Sequence, residues 1–263
     1  MSTKIVVTAG IVTYNNQKII EETIRSILSK TQEIDLKLFV FDNCSADDTV
    51  KTIEQLFPHI TILKSPENKG FGFGHNAIIE RALEENAAYH VIINPDIIFL
   101  DDALSGLVGW MQQHTDVQMA MPKIIFPNGE EQHLPKRCPK LRYLLGGRFE
   151  RLGKPFSTWR NEYTMKNETN GEEPYNIDFC TGCFMLIRAD ALIQGLRFDE
   201  RYFLYLEDAD LSRQVKQNGG RVVFVPQYSV AHAWQRESHK KLKYQLMHIH
   251  SMLKYFMKWR GVS

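Results

Sequence analysis

The segment of residues 198–211 combines acidic and aromatic side chains, and it is the part of the sequence that points most directly to catalysis. Glu207, Asp208 and Asp210 lie within four residues, directly after the run Tyr202-Phe203-Leu204-Tyr205 and at the predicted start of a helix. Partial desolvation by aromatic rings would raise the pKa of a carboxyl group and suit it to act as a general base. An alternative is that these acids only complement the helix dipole, which does not account for the aromatic residues before them.

Another carboxylate, Asp96, ends the tripeptide Asn94-Pro95-Asp96 after a predicted strand at 91–93. It would emerge at the carboxyl edge of a sheet, where a hard cation such as Mg²⁺ or Mn²⁺ could bind it together with substrate phosphates. The tripeptide alone is otherwise typical of a turn. His232, beyond the predicted strand 221–225, is a candidate ligand of the same metal or of a phosphate, or a structural histidine.

Glycines alternate with other residues at Gly70, Gly72 and Gly74, in a stretch that leads into a predicted helix. Such a backbone can approach a ligand closely, and the first N–H groups of the helix favour an anion. The stretch is neither a Walker loop nor the dinucleotide G-x-G-x-x-G motif, because no Gly-Lys-Ser/Thr follows and the spacing differs. A flexible connection is the alternative.

Polar residues also follow the first two predicted strands. Thr13-Tyr14-Asn15 closes the first strand and Asp42-Asn43 closes the second. A carboxylate at a strand end can accept the imide N–H of uracil or thymine. These residues are equally compatible with a simple turn before the next helix.

The first half of the sequence predicts the elements that would hold these residues. Apolar, often β-branched runs predict strands at 5–12, 36–41, 59–63, 90–93 and 118–121, and helical periodicity predicts helices at 19–28, 74–87 and 101–114. Ser45 and Asp48 resemble a capping box for one more helix, which ends near Phe57. This alternation predicts an α/β fold with a parallel, doubly wound sheet, in which ligands bind at the carboxyl ends of the strands.

The second half is less regular. Residues 122–176 are rich in proline, glycine and charge and indicate a long, partly mobile insertion, followed by strands at 179–187 and 221–225 and a helix at 208–218. Residues 238–259 predict a basic amphipathic helix with the cations Lys240, Lys241, Lys243, Lys254, Lys258 and Arg260 and the aromatics Tyr255, Phe256 and Trp259. This helix suits an anionic membrane surface or a lipid-diphosphate acceptor. Aromatics packed on the domain beneath a solvated basic face are the alternative.

Composition narrows the class of protein. The 263 residues carry a formal net charge of +1, so no global field indicates nucleic-acid binding. No apolar stretch approaches the ~20 residues that cross a bilayer, and the first ten residues do not resemble a secretory signal. We therefore expect a cytoplasmic protein, either free or at the inner face of the cell membrane. Reduced, mostly buried thiols are expected, although Cys180-x-x-Cys183 has zinc-like spacing.

Together these features resemble the family-two glycosyltransferases of the GT-A fold, especially the rhamnosyltransferase-like branch. The resembling motifs occur in the family's order and extend over most of the chain: Thr13-Tyr14-Asn15, Asp42-Asn43-Cys44-Ser45, Asn68-x-Gly70-Phe71-Gly72, Asn94-Pro95-Asp96, Thr181-Gly182-Cys183-Phe184 and Tyr205-Leu206-Glu207-Asp208-Ala209-Asp210-Leu211. The resemblance implies a Rossmann-like, mostly parallel sheet flanked by helices. It also implies an inverting enzyme that transfers a sugar to a hydroxyl of a glycan or lipid-linked saccharide in cell-surface polysaccharide synthesis.

The resemblance assigns roles to individual residues. Asp208 would be the catalytic base, and Asp96 with His232 would hold Mg²⁺ or Mn²⁺ at the diphosphate of the donor, for which dTDP-rhamnose is suggested. The residues expected to contact the donor are Thr13, Asn15, Asp42, Asn43, Asn68, Gly70, Asn94 and Asp96. Those expected to shape the site or contact the acceptor are Glu207, Asp210 and Gly182. Asn94 replaces the first acid of the family's Asp-x-Asp motif, and this removes one negative charge from the expected metal site.

This assignment divides the chain into a nucleotide-sugar-binding half at 1–121, an insertion with the catalytic and acceptor-binding half at 122–237, and the basic helix at 238–263. A sugar-phosphate nucleotidyltransferase is one alternative, but Ala9-Gly10-Ile11-Val12 is not the glycine-rich basic signature expected there. A non-catalytic glycan-binding or scaffolding protein on a transferase fold is another. The intact acids Asp96, Glu207 and Asp208 argue against it.

Overall fold

Four parallel strands form one half of the central sheet. The computed structural model of the protein describes residues 4–233 and 242–261. Strands β1 (Val6–Thr13), β2 (Asp35–Asp42), β3 (Thr61–Lys64) and β4 (Tyr89–Ile93) lie in the order β3-β2-β1-β4. Helices α1 (Ile20–Lys30), α2 (Thr49–Leu56) and α3 (Phe71–Leu83) connect them. The four predicted strands are present in this half, with small differences in their bounds.

Both faces of this half are covered, which explains its nearly continuous apolar strands. Leu38 and Val40 of β2 belong to the main core, together with Ile24 of α1. The alternate residues of the same strand, Phe39 and Phe41, pack in a second cluster with Ile78 of α3. Since successive side chains of a strand point to opposite faces, the helices flank the sheet on both sides.

The other half of the sheet contains antiparallel strands. β8 (Phe184–Arg188) pairs antiparallel with β4 and with β6 (Val117–Ile125), and β6 runs parallel to β9 (Arg221–His232). The two short strands β5 (Ile97–Ile98) and β7 (Tyr175–Asn176) pair antiparallel with β9. β1 to β4, β6 and β9 thus share one direction, so the sheet is mixed and mostly parallel, with α/β architecture as predicted.

The remaining helices are distributed over the second half. They are α4 (Ala103–Gln113), α5 (Leu141–Phe149) with a 3-10 turn (Glu150–Leu152), α6 (Phe156–Tyr163), α7 (Ala189–Ile193), α8 (Glu207–Gln217) and α9 (Leu242–Lys258). Residues 238–241 of the predicted C-terminal helix, including Lys240 and Lys241, lie outside the described residues. In the part that the structure describes, no helix is long and apolar enough to cross a membrane.

Several predicted bounds were wrong. The supposed insertion at 122–176 contains the end of β6, two helices and β7, and the division at 121/122 falls inside β6. The strand predicted at 179–187 begins only at Phe184, because Phe179 instead bridges to Lys136. β9 continues to His232, since a register shift between Val225 and Ser229 accommodates Pro226. The division into donor and acceptor halves stays a functional prediction.

Two local expectations about helix starts were also wrong. α3 begins at Phe71, so it includes Gly72 and Gly74. A Cβ on Gly72 would lie 2.9 Å from the Phe198 Cβ, and these glycines therefore serve close packing within the protein. The capping box before α2 is absent, because Asp48 makes no capping bond and Ser45 Oγ instead accepts the Asn15 N–H.

Candidate active site

The ends of β1 and β2 form a connected group of polar residues. Thr13 Oγ1 donates to Asp42 Oδ1 at 3.0 Å, and Asp42 Oδ2 accepts the Ser45 N–H at 2.9 Å. Asn15, with a left-handed φ of 57°, accepts the Ala46 N–H through Oδ1 at 2.7 Å. The structure therefore brings together three of the residues expected to contact the donor, with Asp42 buried beneath them.

The glycine-containing loop lies against the same strand ends. Asn43 donates through Nδ2 to the Gly70 carbonyl at 2.9 Å and accepts the Lys69 N–H through Oδ1 at 2.9 Å. Asn68 Oδ1 accepts the Gly70 N–H at 3.0 Å. These side-chain bonds hold the loop in place, so the alternative of a flexible connection does not describe it.

Gly70 joins this loop to the acidic segment. Its φ is 95°, and a Cβ would lie 2.3 Å from the Phe203 carbonyl oxygen. The next residue, Phe71, donates its N–H to that same carbonyl at 3.2 Å. Only glycine therefore permits this contact, which places the loop after β3 beside the chain that enters α8.

The entry to α8 is held in an unusual backbone conformation. Tyr205 and Leu206 have left-handed φ values of 72° and 65°. Such residues cost on the order of 1–3 kcal/mol each and occur preferentially at functional sites. These two residues lead into α8, whose second residue is Asp208. Asp208 Oδ2 accepts the Gly182 N–H at 3.0 Å, and Asp208 Oδ1 accepts the Ala209 N–H at 2.8 Å.

The three carboxyl groups of this segment have different surroundings. Glu207 and Asp210 are buried, whereas Asp208 is only half-buried and can reach a ligand. Burial, with the neighbouring Asp208 charge as a second cause, raises the pKa of Glu207 well above its usual value. Glu207 therefore favours its protonated form, and Asp208 is the acid of the three that is placed to accept a proton from a substrate.

Asp210 is fully buried and holds the C-terminal helix. It accepts hydrogen bonds from Gln214 Nε2 at 2.8 Å, from Lys258 Nζ at 2.7 Å and from Trp259 Nε1 at 2.8 Å. Tyr202 contributes a longer bond of 3.4 Å. Asp210 thus connects α8 to α9, and any part it plays in shaping the site is exerted through that connection.

Asp96 and His232 meet at the edge between β5 and β9. The Asp96 Oδ1 and His232 Nε2 atoms are 3.2 Å apart, and His232 Nδ1 lies 3.1 Å from Gln132 Oε1. Asp96 Oδ1 is buried, and no hydrogen bond from the described residues reaches it. An imidazole nitrogen beside a carboxylate oxygen fits a divalent cation that takes its other ligands from a diphosphate and water.

Within the described residues, no group of three or more histidines, cysteines or acids is arranged to hold a metal ion with protein ligands alone. Cys180 and Cys183 are buried, and burial raises the pKa of both thiols. Both side chains belong to the main hydrophobic core, so the zinc-like spacing of this pair fits a packing role.

Asp96 and Asp208 both lie next to the segment Thr181-Gly182-Cys183. The Cys183 carbonyl accepts the Asn94 N–H at 2.9 Å, and the Gly182 N–H is bonded to Asp208. Burial raises the pKa of the Cys183 thiol to about 12, and the charges of Asp96 and Asp208 both add to this effect. The predicted metal-binding acid and the predicted base therefore both lie close to Cys183.

Lys136 is a member of this site that was not predicted. Burial lowers its pKa, while the negative charge of Asp208 opposes that effect. Its Nζ lies 5.3 Å from the centre of the Phe179 ring and 5.9 Å from that of Tyr163. The sequence offered only one signal, namely that Lys136 opens a basic run, which did not distinguish it from surface lysines.

Residues 8–196 match the sequence profile described as "Glycosyl transferase family 2". The chain belongs to this family. It is therefore a glycosyltransferase, and the matched part includes the strand ends, the glycine-containing loop and Asp96. Asp208 and His232 lie beyond the matched residues, and the roles of all the site residues stay predictions.

Two curated relatives are rhamnosyltransferases. The chain is 28% identical, over 84% of its length and 74% of the relative's, to the N-acetylglucosaminyl-diphospho-decaprenol L-rhamnosyltransferase of Mycobacterium tuberculosis. It is 25% identical to rhamnosyltransferase WbbL of Escherichia coli K12, over 81% of the chain and 79% of WbbL. This family-two glycosyltransferase is thus rhamnosyltransferase-like in sequence.

A solved structure supports the fold assignment. GalNAc-T7, crystallised with UDP, GalNAc and Mn²⁺, has a TM-score of 0.66 and 14% identity, and the match covers 90% of this chain. The chain spans 45% of the length of that protein. The shared fold is GT-A, as the resemblance of the sequence implied.

Proposed function

We propose that this family-two glycosyltransferase transfers L-rhamnose from dTDP-rhamnose to a hydroxyl of a lipid-diphosphate-linked saccharide, with inversion, in the synthesis of a cell-surface polysaccharide. The relative from Mycobacterium tuberculosis carries both the sugar and a lipid-linked acceptor in its name. The observation that carries the proposal is the half-buried Asp208, whose neighbour Gly182 belongs to the same short segment that contacts Asn94.

Asp208 acts as the general base in this proposal. Two backbone N–H groups, from Gly182 and Ala209, orient its carboxylate. The acceptor hydroxyl gives its proton to Asp208 as its oxygen bonds to the anomeric carbon of the donor. The bond from that carbon to the diphosphate oxygen breaks in the same step, so the electron pair leaves with the nucleoside diphosphate and the configuration inverts. A positioned base of this kind contributes typically ~10²–10⁴-fold in rate.

Asp96 and His232 would hold Mg²⁺ or Mn²⁺ in this proposal. A bound divalent cation would neutralise the charge that develops on the departing diphosphate. Asp96 offers one buried oxygen that accepts no hydrogen bond within the described part of the chain, next to the His232 ring. With Asn94 in place of an acid, two protein ligands remain, and the donor must complete the coordination.

The remaining donor contacts follow from the strand ends. Thr13, Asn15 and Asp42 would bind the base and ribose, while Asn43, Asn68 and Gly70 would line the nucleotide pocket. Their mutual hydrogen bonds keep these groups in place before the donor arrives, which reduces the entropy lost on binding. A lipid-linked acceptor would locate the enzyme on the cytoplasmic face of the membrane.

The test is a transfer assay with the purified chain, dTDP-rhamnose, Mn²⁺ and an N-acetylglucosaminyl-diphosphate lipid. We expect release of dTDP together with a rhamnosylated lipid whose anomeric configuration is inverted. Asp208→Asn should fold and bind donor, but its turnover should fall by roughly 10²–10⁴-fold. Asp101→Asn, at an exposed acid outside the site, is the matched control. Wild-type turnover by Asp208→Asn would refute the assignment, and absence of any donor turnover would favour a non-catalytic protein.

A further inference from the structure

The C-terminal helix α9 has two unlike sides. One side is attached to the domain through Ser251, Tyr255, Lys258 and Trp259, of which Tyr255 is fully buried. The opposite side, as expected from 3.6 residues per turn, carries apolar residues that are 50–69% exposed: Leu246, Ile249, Leu253 and Met257. The aromatics of the predicted amphipathic helix thus pack inward, and a separate apolar stripe faces outward.

Helix α5 repeats this arrangement. Tyr143 and Gly146 are buried on its inner side. Its outer side and the turn that follows expose a second apolar stripe, with exposures of 38–70%: Leu141, Leu145, Phe149 and Leu152. The other large apolar side chains that are exposed in the described residues occur singly along the sequence. Exposed apolar stripes of this kind indicate an interaction surface.

Both helices rest on the same group of side chains. Tyr143 of α5 and Tyr255 and Trp259 of α9 belong to one buried aromatic cluster, which also includes Leu206 and Ala209 at the start of α8. The two helices that carry the apolar stripes therefore pack on the same aromatic cluster. The stripes lie on the opposite sides of their helices from this cluster and hence from the entry to α8.

The charge around the stripes is almost entirely positive. Exposed cations flank them at Lys140, Arg148, Arg151, Lys154, Lys243 and Arg260. Residues 242–258 contain no acid, and Glu150 is the only acid between Lys140 and Lys154. Arg148, Arg151 and Lys154 form no ion pair with any carboxylate among the described residues. The surface therefore combines apolar area with uncompensated positive charge.

We propose that α5, the turn after it and the outer side of α9 form a docking surface for an anionic lipid bilayer. Insertion of the apolar stripes at the interface and attraction of the flanking cations to acidic headgroups are the two recognised contributions to such binding. A second copy of the chain fits less well, because an isologous contact would oppose like charges. The proposal deepens the proposed function, on whose lipid-linked acceptor it rests, by naming the surface that meets the lipid.

The test is sedimentation of the full-length chain with vesicles of phosphatidylcholine alone or of phosphatidylcholine with about 30 mol% phosphatidylglycerol. The acidic lipid gives the second type of vesicle a negative surface. We expect binding to the anionic vesicles that decreases with salt. Arg148→Gln/Arg151→Gln/Lys154→Gln should weaken partitioning by roughly 100-fold, since each of the three cations near such a surface contributes about fivefold. Leu253→Ser/Met257→Ser should weaken binding through the loss of apolar contact with the bilayer. Added salt does not produce this loss, because it screens only the attraction between charges.

Matched controls exist elsewhere on the surface. Lys18→Gln/Lys30→Gln/Lys51→Gln removes three exposed lysines, and Ile193→Ser removes an apolar side chain that is 69% exposed, as Met257 is. Both controls should bind vesicles like the wild type. Equal binding to both vesicle types, or no loss in either surface variant, would overturn the proposal. A lipid-free dimer that Leu253→Ser/Met257→Ser abolishes would also overturn it and assign the surface to self-association.

A transfer assay with a water-soluble acceptor tests the docking surface independently of the proposed function. Both surface variants should retain wild-type transfer to an acceptor without the lipid chain, while losing transfer to acceptor in anionic vesicles. Loss of both activities together would contradict a docking role. Vesicle binding by a chain that transfers no sugar would support the surface and refute only the proposed function.

Discussion

His90 lies in β4 with its ring enclosed by the core, and His75 of α3 is buried nearby. His90 Nδ1 is 2.9 Å from Thr8 Oγ1, and Gly10 packs closely against the ring, because a Cβ there would lie 3.3 Å from it. Burial lowers the pKa of His90 from 6.5 to about 3. Burial, together with the charge of His90, also lowers the pKa of His75 well below its usual value.

These shifts predict how stability changes with pH. Above about pH 7 His90 is neutral in both states and contributes no pH dependence. Below 6.5 the unfolded chain binds a proton that the folded chain excludes until about pH 3, so the free energy of unfolding falls as the pH falls through this window. A pH of 5 is roughly 1.5 units below the pKa of the histidine in the unfolded chain. The free energy of unfolding is therefore lower by about 2 kcal/mol at this pH than at pH 7. His75 acts in the same direction.

The assay is urea unfolding at pH 7, 6 and 5, followed by tryptophan fluorescence. His90→Gln cannot titrate, so the difference in unfolding free energy between wild type and variant should shrink by about 2 kcal/mol from pH 7 to pH 5. Glu207, whose pKa is raised, contributes the opposite slope in both proteins and cancels in this difference. His59→Gln, at an exposed histidine, controls for the loss of one imidazole. A difference that stays constant with pH would refute the reasoning.

Three further predictions concern the site. Asp96→Asn removes the charge that faces His232 and should weaken Mn²⁺-dependent donor binding by at least about tenfold; calorimetry with unchanged affinity would contradict it. Lys136→Met keeps the contacts with the aromatic rings but removes a cation near Asp208, and we expect a kcat roughly tenfold lower in steady-state kinetics with an unaltered melting temperature. Asp210→Asn removes a buried carboxylate that binds Lys258, although Lys258 keeps Asp199 Oδ2 at 2.9 Å, and it should cost about 2 kcal/mol in urea unfolding; a loss below about 0.5 kcal/mol would mean that the pair contributes little.

Much of the first half of the fold could be predicted, because its strands are buried on both faces and short joins separate them from amphipathic helices. The ends of β6 and β9 could not. β9 passes through Pro226 at a register shift, and proline in a sequence normally indicates the end of a strand. In the same way, Gly72 of α3 indicated a ligand loop, whereas its close packing against Phe198 depends on a contact with a residue more than a hundred positions further along the chain.

The candidate site shows the same limit. The motifs identified the acids but did not predict that their burial and hydrogen-bond partners differ. Asp208 and Asp210 are two residues apart, yet Asp208 is half-buried and bonded to Gly182, whereas Asp210 is buried and bonded to Lys258 and Trp259. Those partners lie 48 and 49 residues further along the chain. Lys136 was missed for the same reason, since only the folded chain brings it near Asp208.

The bonds of Asp210 give the docking surface a structural connection to the proposed chemistry. The first turn of α8 carries both Asp208 and Asp210. Asp210 is hydrogen-bonded to Lys258 and Trp259 on the inner side of α9. The outer side of that helix is the one proposed to contact lipid. A force or reorientation at the bilayer surface would therefore be transmitted to the helix that holds the base through a charged, buried contact. Since buried ion pairs depend strongly on geometry, Asp210→Asn should reduce transfer to acceptor in vesicles more than transfer to a water-soluble acceptor. An equal reduction with both acceptors would mean that Asp210 serves stability alone.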